Sequence, residues 1–253
     1  MTDLFQEPND ATPLTPAERD GLRQSWITHR RDLNEAEQEN IVQGAAWARR
    51  QRGLTAAKLL DDGFAQRLHR RMFGDVWEWA GAYRRTERNI GVAPYRIAPD
   101  LSVLLDDARF WIEHNTYPPD ETAVRVHHRL VWIHPFPNGN GRHARLMADL
   151  LIEKLSGEAF SWGGGSLADV SKLRTRYIAA LQAADGYDIR PLLAFARSSW
   201  RLRTSSPNPR TRVRPVRTSR CGCTQFRGGA FQYGAAPEVF SIPPIGATPR
   251  KPL

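Results

Sequence analysis

The chain has 253 residues, 41% hydrophobic and 25% charged, enough for one large core or a core with an appendage. No apolar run approaches the roughly 20 residues of a membrane span, which excludes a membrane-spanning protein. The formal charge of +9 belongs to the end of the chain: residues 198–253 hold ten of the 36 basic side chains and one acid, Glu238, leaving 26 of each sign before them.

The start, MTDLFQEPND, is acidic and has no basic-then-apolar leader, so a cytoplasmic chain is expected. Thr15-Pro16-Ala17-Glu18 reads as a reciprocal helix cap with proline at the first helical position. Asn34-Glu35-Ala36-Glu37 reads as the start of a second helix running to about Arg52, and Leu59, Phe64, Leu68 and Met72 give a third apolar face at helical spacing. From Tyr83 to Ile97 the helical period is lost. Thr86, Ile90, Val92, Tyr95 and Ile97 surround Gly91 and Pro94, the pattern of a short hairpin that would have to lean on helices. Helices are expected again after Asp100, after Asp120, from Asn140 to a stop at Gly157, after a cap at Ser166–Asp169, and from about Asp188 to Arg197. The fold class is therefore all-α. After Ser198 there are eight of the 18 prolines, an alternating Arg pattern, and both cysteines, Cys221 and Cys223. This reads as a basic, Pro/Arg-rich disordered tail, and nucleic acid is not expected as a partner except through it.

One stretch carries chemistry: Val131-Trp-Ile-His134-Pro-Phe136-Pro-Asn138-Gly139-Asn140-Gly141-Arg142-His143-Ala-Arg145. A helix ends at His-Pro, a loop with two glycines follows, and a new helix opens with two arginines three apart. Glycines let successive N–H groups turn toward one anion, and the first turn of the next helix adds unpaired N–H groups and the positive end of its dipole. Arg142 and Arg145 lie on one helix face and can each grip phosphate oxygens bidentately. His134, across the loop, is placed to take a proton from an attacking hydroxyl. A metal cluster of His127, His128, His134 and His143 is the weaker reading, since the spacing contains no HExxH-type pair and would leave Gly-Asn-Gly unexplained.

The segment His134 to Arg145 resembles the Fic/Doc signature, His-x-Phe-x-(Asp/Glu)-Gly-Asn-Gly-Arg-x-x-Arg, at seven of its eight specified positions. Val76-Trp-Glu-Trp-Ala-Gly-Ala-Tyr-Arg84 and the segment after it resemble the family's turn and target-docking flap. With Leu14–Gly21 and Leu33–Asn40, the chain is similar to the subgroup called mobile mystery protein B. The resemblance implies an all-α Fic fold with a small β-hairpin flap, and transfer of AMP from ATP, with Mg²⁺, to a Ser, Thr or Tyr hydroxyl of a target protein. By position, His134 would be the general base and Phe136 the loop's structural anchor. Gly139, Asn140, Gly141, Arg142 and Arg145 would bind the nucleotide phosphates, and the flap residues Thr86, Ile90, Gly91 and Val92 would dock the target. Three segments follow: 1–54, N-terminal helices including a candidate inhibitory helix; 55–197, the Fic domain; and 198–253, the tail. The subgroup also implies a toxin-like component of a mobile element with a helix-turn-helix or antitoxin-like neighbour.

The departure is Asn138, which stands where the family has an acidic Mg²⁺ ligand, so weaker metal affinity is expected. The family's inhibitory string, (Ser/Thr)-x-x-x-Glu-(Gly/Asn), is matched only at its last two positions by Glu39-Asn40, making Glu39 the candidate inhibitory residue, expected to reach Arg145. Two rival functions stand beside AMP transfer: a Doc-like protein phosphotransferase, and a catalytically impaired binding module resulting from Asn138.

Overall fold

The structure, a computed structural model, describes residues 14–155, 157–164 and 170–198. The expected tail, its cysteines and the cap at Ser166–Asp169 lie outside the described residues. Within them the elements in chain order are α1 (Pro16–Arg19), α2 (Arg30–Arg49), α3 (Ala56–Leu59), α4 (Asp62–Phe73), a 3₁₀ turn (Pro94–Arg96), α5 (Ile97–Glu113), α6 (Pro119–Ile133), α7 (Asn140–Leu155), α8 (Val170–Asp185) and α9 (Arg190–Arg197). The all-α class holds.

Several boundaries differ from the sequence reading for identifiable reasons. The α1 cap forms, with the Glu18 carboxylate taking the Thr15 amide at 2.9 Å, but the helix lasts only one turn. Helix α2 begins at Arg30, a turn before Asn34, because Leu33 is buried and draws the preceding turn onto the core. The face with Leu59, Phe64, Leu68 and Met72 is split between α3 and α4, since Asp61 turns its carboxylate onto the Phe64 amide at 2.8 Å and opens a new helix. Helix α7 starts at Asn140 and ends before Gly157 as expected.

The expected hairpin at Tyr83–Ile97 is not formed. Residues 83–93 are an irregular loop, and the one β-bridge among the described residues joins Leu22 to Trp77. The cause is Arg84, almost wholly buried, whose guanidinium binds the carbonyls of Thr86 (2.9 Å), Val92 and His134 (2.7 Å). Oxygens that a strand ladder would use are taken by one side chain.

Helices α6 and α7 form an antiparallel pair whose shared face (Val126, Leu130, Met147, Leu151) is fully buried. Helix α2 crosses α4 so closely at Gly44 that a Cβ there would meet the Arg71 carbonyl oxygen at 2.7 Å. Among the described residues no helix is long and apolar enough to cross a membrane.

Three histidines sit inside this core. Burial lowers His127 to about 3 and His143 to about 4, and holds His69 well below its ordinary value. The folded state therefore refuses protons that the unfolded chain accepts below about pH 6.5, so stability is present above that pH and is lost as pH falls. Asp149, raised to about 6 by burial, acts in the opposite sense. Three groups against one give an expected net loss on the order of 3 kcal/mol between pH 7 and pH 5. Urea midpoints measured across this range check it; a flat profile would contradict the buried neutral histidines.

Candidate active site: the loop joining α6 and α7

His134 ends α6 in the left-handed region, φ 54° and ψ 59°, with its amide still bonded to the Leu130 carbonyl at 3.0 Å. A residue with a Cβ adopts that conformation at a cost of about 1 kcal/mol, which the surroundings offset. The Arg84 guanidinium holds the His134 carbonyl, and the Arg84 amide bonds to the Pro135 carbonyl at 2.9 Å. The ring's Nδ1 lies 3.3 Å from the Val131 carbonyl, an acceptor, which makes Nδ1 the donor and leaves the lone pair at Nε2. The 83–93 loop closes over this histidine: a Cβ at Gly91, where φ is +99°, would stand 2.6 Å from the His134 Cβ.

Phe136 is completely buried, stacked on His69 with centroids 3.8 Å apart and edge-on to His143. His69 accepts from the Gly81 amide at Nδ1 (3.0 Å), so Nε2 carries the proton and donates it to the Asn138 carbonyl at 3.0 Å. A neutral imidazole thus braces the loop from beneath. Asn140 braces it from the side, its amide group receiving the Phe136 N–H at 2.9 Å and donating to the Phe136 carbonyl at 2.8 Å. With both polar atoms committed to Phe136, the Asn140 side chain shapes the anion loop. Gly139, at φ +78°, has no room for a side chain, since a Cβ would lie 2.6 Å from the Phe73 ring. Gly141 differs: a Cβ there would meet only the Tyr177 hydroxyl, at an ordinary contact distance of 3.8 Å.

The two arginines have different surroundings. Arg142 donates to the Glu37 carboxylate at 2.7 Å, reaches Asn138 Oδ1 at 3.4 Å and lies over the Phe73 ring. Arg145 lies 5.3 Å from the centroid of Tyr177, whose hydroxyl meets His127 Nε2 at 3.1 Å. Glu37 is only 5% exposed and its other oxygen accepts the Trp77 indole N–H at 2.7 Å. Glu39 does not reach Arg145: it is exposed and takes a 3.4 Å bond from Gln43. The carboxylate that enters the site is two residues earlier, because Leu33, Glu37, Asn40, Gly44 and Ala48 form the buried face of α2, and residue 39 points about 200° away from residue 37 around the helix. The helix phase set by Leu33 was the signal in the sequence that identifies Glu37; no comparable signal marks Arg84 or His69.

Of the expected flap residues, Thr86 and Gly91 are exposed, Ile90 is half-buried, and the Val92 amide bonds to the Ile133 carbonyl at 3.3 Å, tying the loop to the end of α6. Among the described residues no group of three or more His, Cys, Asp or Glu is arranged to hold a metal, which removes the histidine-cluster reading. Asn138 is poorly suited to hold Mg²⁺. Its oxygen is neutral and already accepts the Gly139 amide at 2.5 Å.

The loop joins the ends of a helix pair, with an imidazole on one side and two arginines on the other, and residues 59–152 match the Fic/DOC family model. The fold around it is the all-helical fold of the Fic structures it resembles. It is 32% identical over 132 residues to the protein adenylyltransferase Fic of Drosophila grimshawi, covering 51% of this chain and 26% of that protein. The chain thus spans about a quarter of the length of that relative. Among solved structures it is similar to the N-terminal Fic domain of a Bartonella effector protein from Bartonella sp. AR 15-3 (TM-score 0.55, 15% identity, 76% of this chain and 88% of that one). It is also similar to the BepC protein of Bartonella tribocorum with bound AMPPNP (TM-score 0.54, 19% identity, 72% and 97%).

Proposed function

We propose that this chain is a protein adenylyltransferase, moving AMP from ATP to a Ser, Thr or Tyr hydroxyl of a target protein, and that Glu37 holds it in a resting state. The observation that carries the reading is that the loop between His134 at the end of α6 and Arg142 in the first turn of α7 is braced in one conformation by His69 and Asn140. In the reaction, His134 Nε2 takes the proton of the target hydroxyl as that oxygen bonds to the α-phosphorus. The bond from the α-phosphorus to the bridging oxygen breaks, and pyrophosphate leaves with its charge met by Arg142, Arg145 and the N–H groups opening α7. Such a transfer depends on positioning and charge compensation more than on covalent participation. The target approaches over the 86–92 loop, which lies directly above His134. The similarity to adenylyltransferases of other organisms supports the choice of AMP as the group transferred.

The test is incubation with ATP labelled at either the α or the γ phosphorus, using the Glu37→Gln protein. Label from the α position entering protein supports AMP transfer. Label from γ alone indicates the Doc-like phosphotransferase, and no label from either indicates the binding module. In our reading Mg²⁺ arrives with the nucleotide's phosphates, since Asn138 offers no carboxylate. Asn138→Asp is therefore expected to lower the Mg²⁺ concentration giving half-maximal labelling by about tenfold; an unchanged requirement, read from a Mg²⁺ titration, would show that this position does not face the metal. A cytoplasmic setting, a mobile-element context and a helix-turn-helix or antitoxin-like neighbour belong to the same proposal and are tested by finding the target and any co-purifying partner.

A further inference from the structure

A cleft of about 670 Å³ lies away from the α6–α7 loop. It lies where α2 crosses α4, and five arginines line it: Arg23, Arg50, Arg67, Arg70 and Arg71. All five are exposed, and the acids on its wall are two, Asp75 and Glu78. Asp75 is already engaged, its carboxylate receiving the Asn40 amide at 3.0 Å. Among the described residues none of Arg23, Arg50, Arg70 and Arg71 has a carboxylate at ion-pair distance, and Arg67 has only Asp61 at 3.8 Å. Elsewhere most surface arginines are paired, as Arg49 is with Glu153, Arg96 with Asp100, Arg125 with Glu121 and Arg197 with Asp120.

This concentration is local. Residues 1–197 are electrically balanced, so the cleft is a departure from the domain's average. Arg67, Arg70 and Arg71 stand at i, i+3 and i+4 on α4, where like charges repel one another. The close crossing at Gly44 narrows the space they border, and a concave wall focuses their field. Arg71 is also oriented, lying 5.3 Å from the centroid of Trp47, another residue of the wall.

We infer that this cleft is a second anion site, taking a small molecule that carries two or more linked phosphate groups. Guanidinium forks match phosphate oxygens bidentately, and several unpaired forks facing one volume require a ligand with several charges. The volume, about 670 Å³, lies in the range of small-molecule sites, which favours a compact polyphosphate. The inference is independent of the adenylyltransferase reading, because no residue of the α6–α7 loop borders the cleft.

The probe is inorganic tripolyphosphate, titrated calorimetrically into the full chain carrying Arg142→Ala and Arg145→Ala, so that the loop's own anion affinity is removed. Binding is expected to persist in that background, to weaken at least about tenfold on further Arg70→Ala/Arg71→Ala substitution, and to weaken less with Arg70→Lys/Arg71→Lys, which keeps the charge but loses the fork. Arg176→Ala, an exposed charge elsewhere, is expected to leave it unchanged. Thermal melts verify that each variant is folded. Loss of all binding in the Arg142/Arg145 background, equal weakening by Arg176→Ala, or tighter binding of a twelve-residue oligothymidylate than of tripolyphosphate would each overturn the inference, the last in favour of a nucleic-acid surface.

Discussion

Glu37→Gln is expected to raise AMP transfer on the order of ten- to a hundredfold. The carboxylate and the departing phosphates are alternative partners for one guanidinium, and a charge-assisted bond at 2.7 Å contributes on the order of 1.5–3 kcal/mol. That is the free energy the nucleotide must overcome to displace it. Glutamine conserves the volume and can still accept the Trp77 indole N–H, so the substitution removes the charge with little loss of packing. Arg142 remains partly solvated and is not left as a buried unpaired cation. The paired control is Glu39→Gln, which is exposed and expected to change nothing. Initial rates of α-label incorporation measure both. If the Glu37 variant is no faster than the parent while Glu39→Gln is, the inhibitory residue has been assigned to the wrong position.

Equally large in the opposite direction, His134→Ala is expected to lower the labelling rate by about 10²–10⁴-fold while ATP affinity stays within about threefold. Position 134 has two roles, and they can be separated. The backbone must sit in the left-handed region, which asparagine tolerates better than alanine, whereas only histidine supplies a basic ring nitrogen there. His134→Asn should therefore retain more thermal stability than His134→Ala and be equally inactive. An asparagine variant that keeps substantial activity would move the proton acceptor elsewhere. Measuring ATP binding by calorimetry alongside the rates distinguishes a lost base from a collapsed loop.

Legibility in the sequence followed the range of the interactions involved. The α6–loop–α7 unit could be read because its determinants are consecutive: apolar spacing, a His-Pro stop, two glycines and a helix start within a dozen residues. The hairpin reading failed because alternation in 83–97 reports local propensity, while the conformation is set by Arg84 binding carbonyls up to 50 residues away. Asn140 is a similar case. Its place beside the glycines marks it for the anion loop, but that its side-chain amide closes the loop on Phe136 was not legible. His69 is 69 residues from the carbonyl it supports, and nothing in its neighbours distinguishes it from an ordinary core histidine. Glu39 rests on a two-residue string match, and the helix phase that overrides it lies in the same segment.

If Glu37 holds Arg142 as proposed, the close crossing at Gly44 sets the point about which α2 would pivot to release it. With Gly44 pressed against the Arg71 backbone and Arg49 clamped to Glu153 at 2.7 Å, the C-terminal half of α2 is fixed. That half acts as a fulcrum, and Glu37 sits seven residues along the lever, about 10 Å away. A tilt of roughly 10° about this point shifts the carboxylate by roughly 2 Å, enough to release Arg142, and it strains the bonds of Asn40 to Arg71 and Asp75 on the way. An activator acting on the N-terminal turn of α2 would therefore work with mechanical advantage, and one pushing at Gly44 would meet the close backbone contact with Arg71.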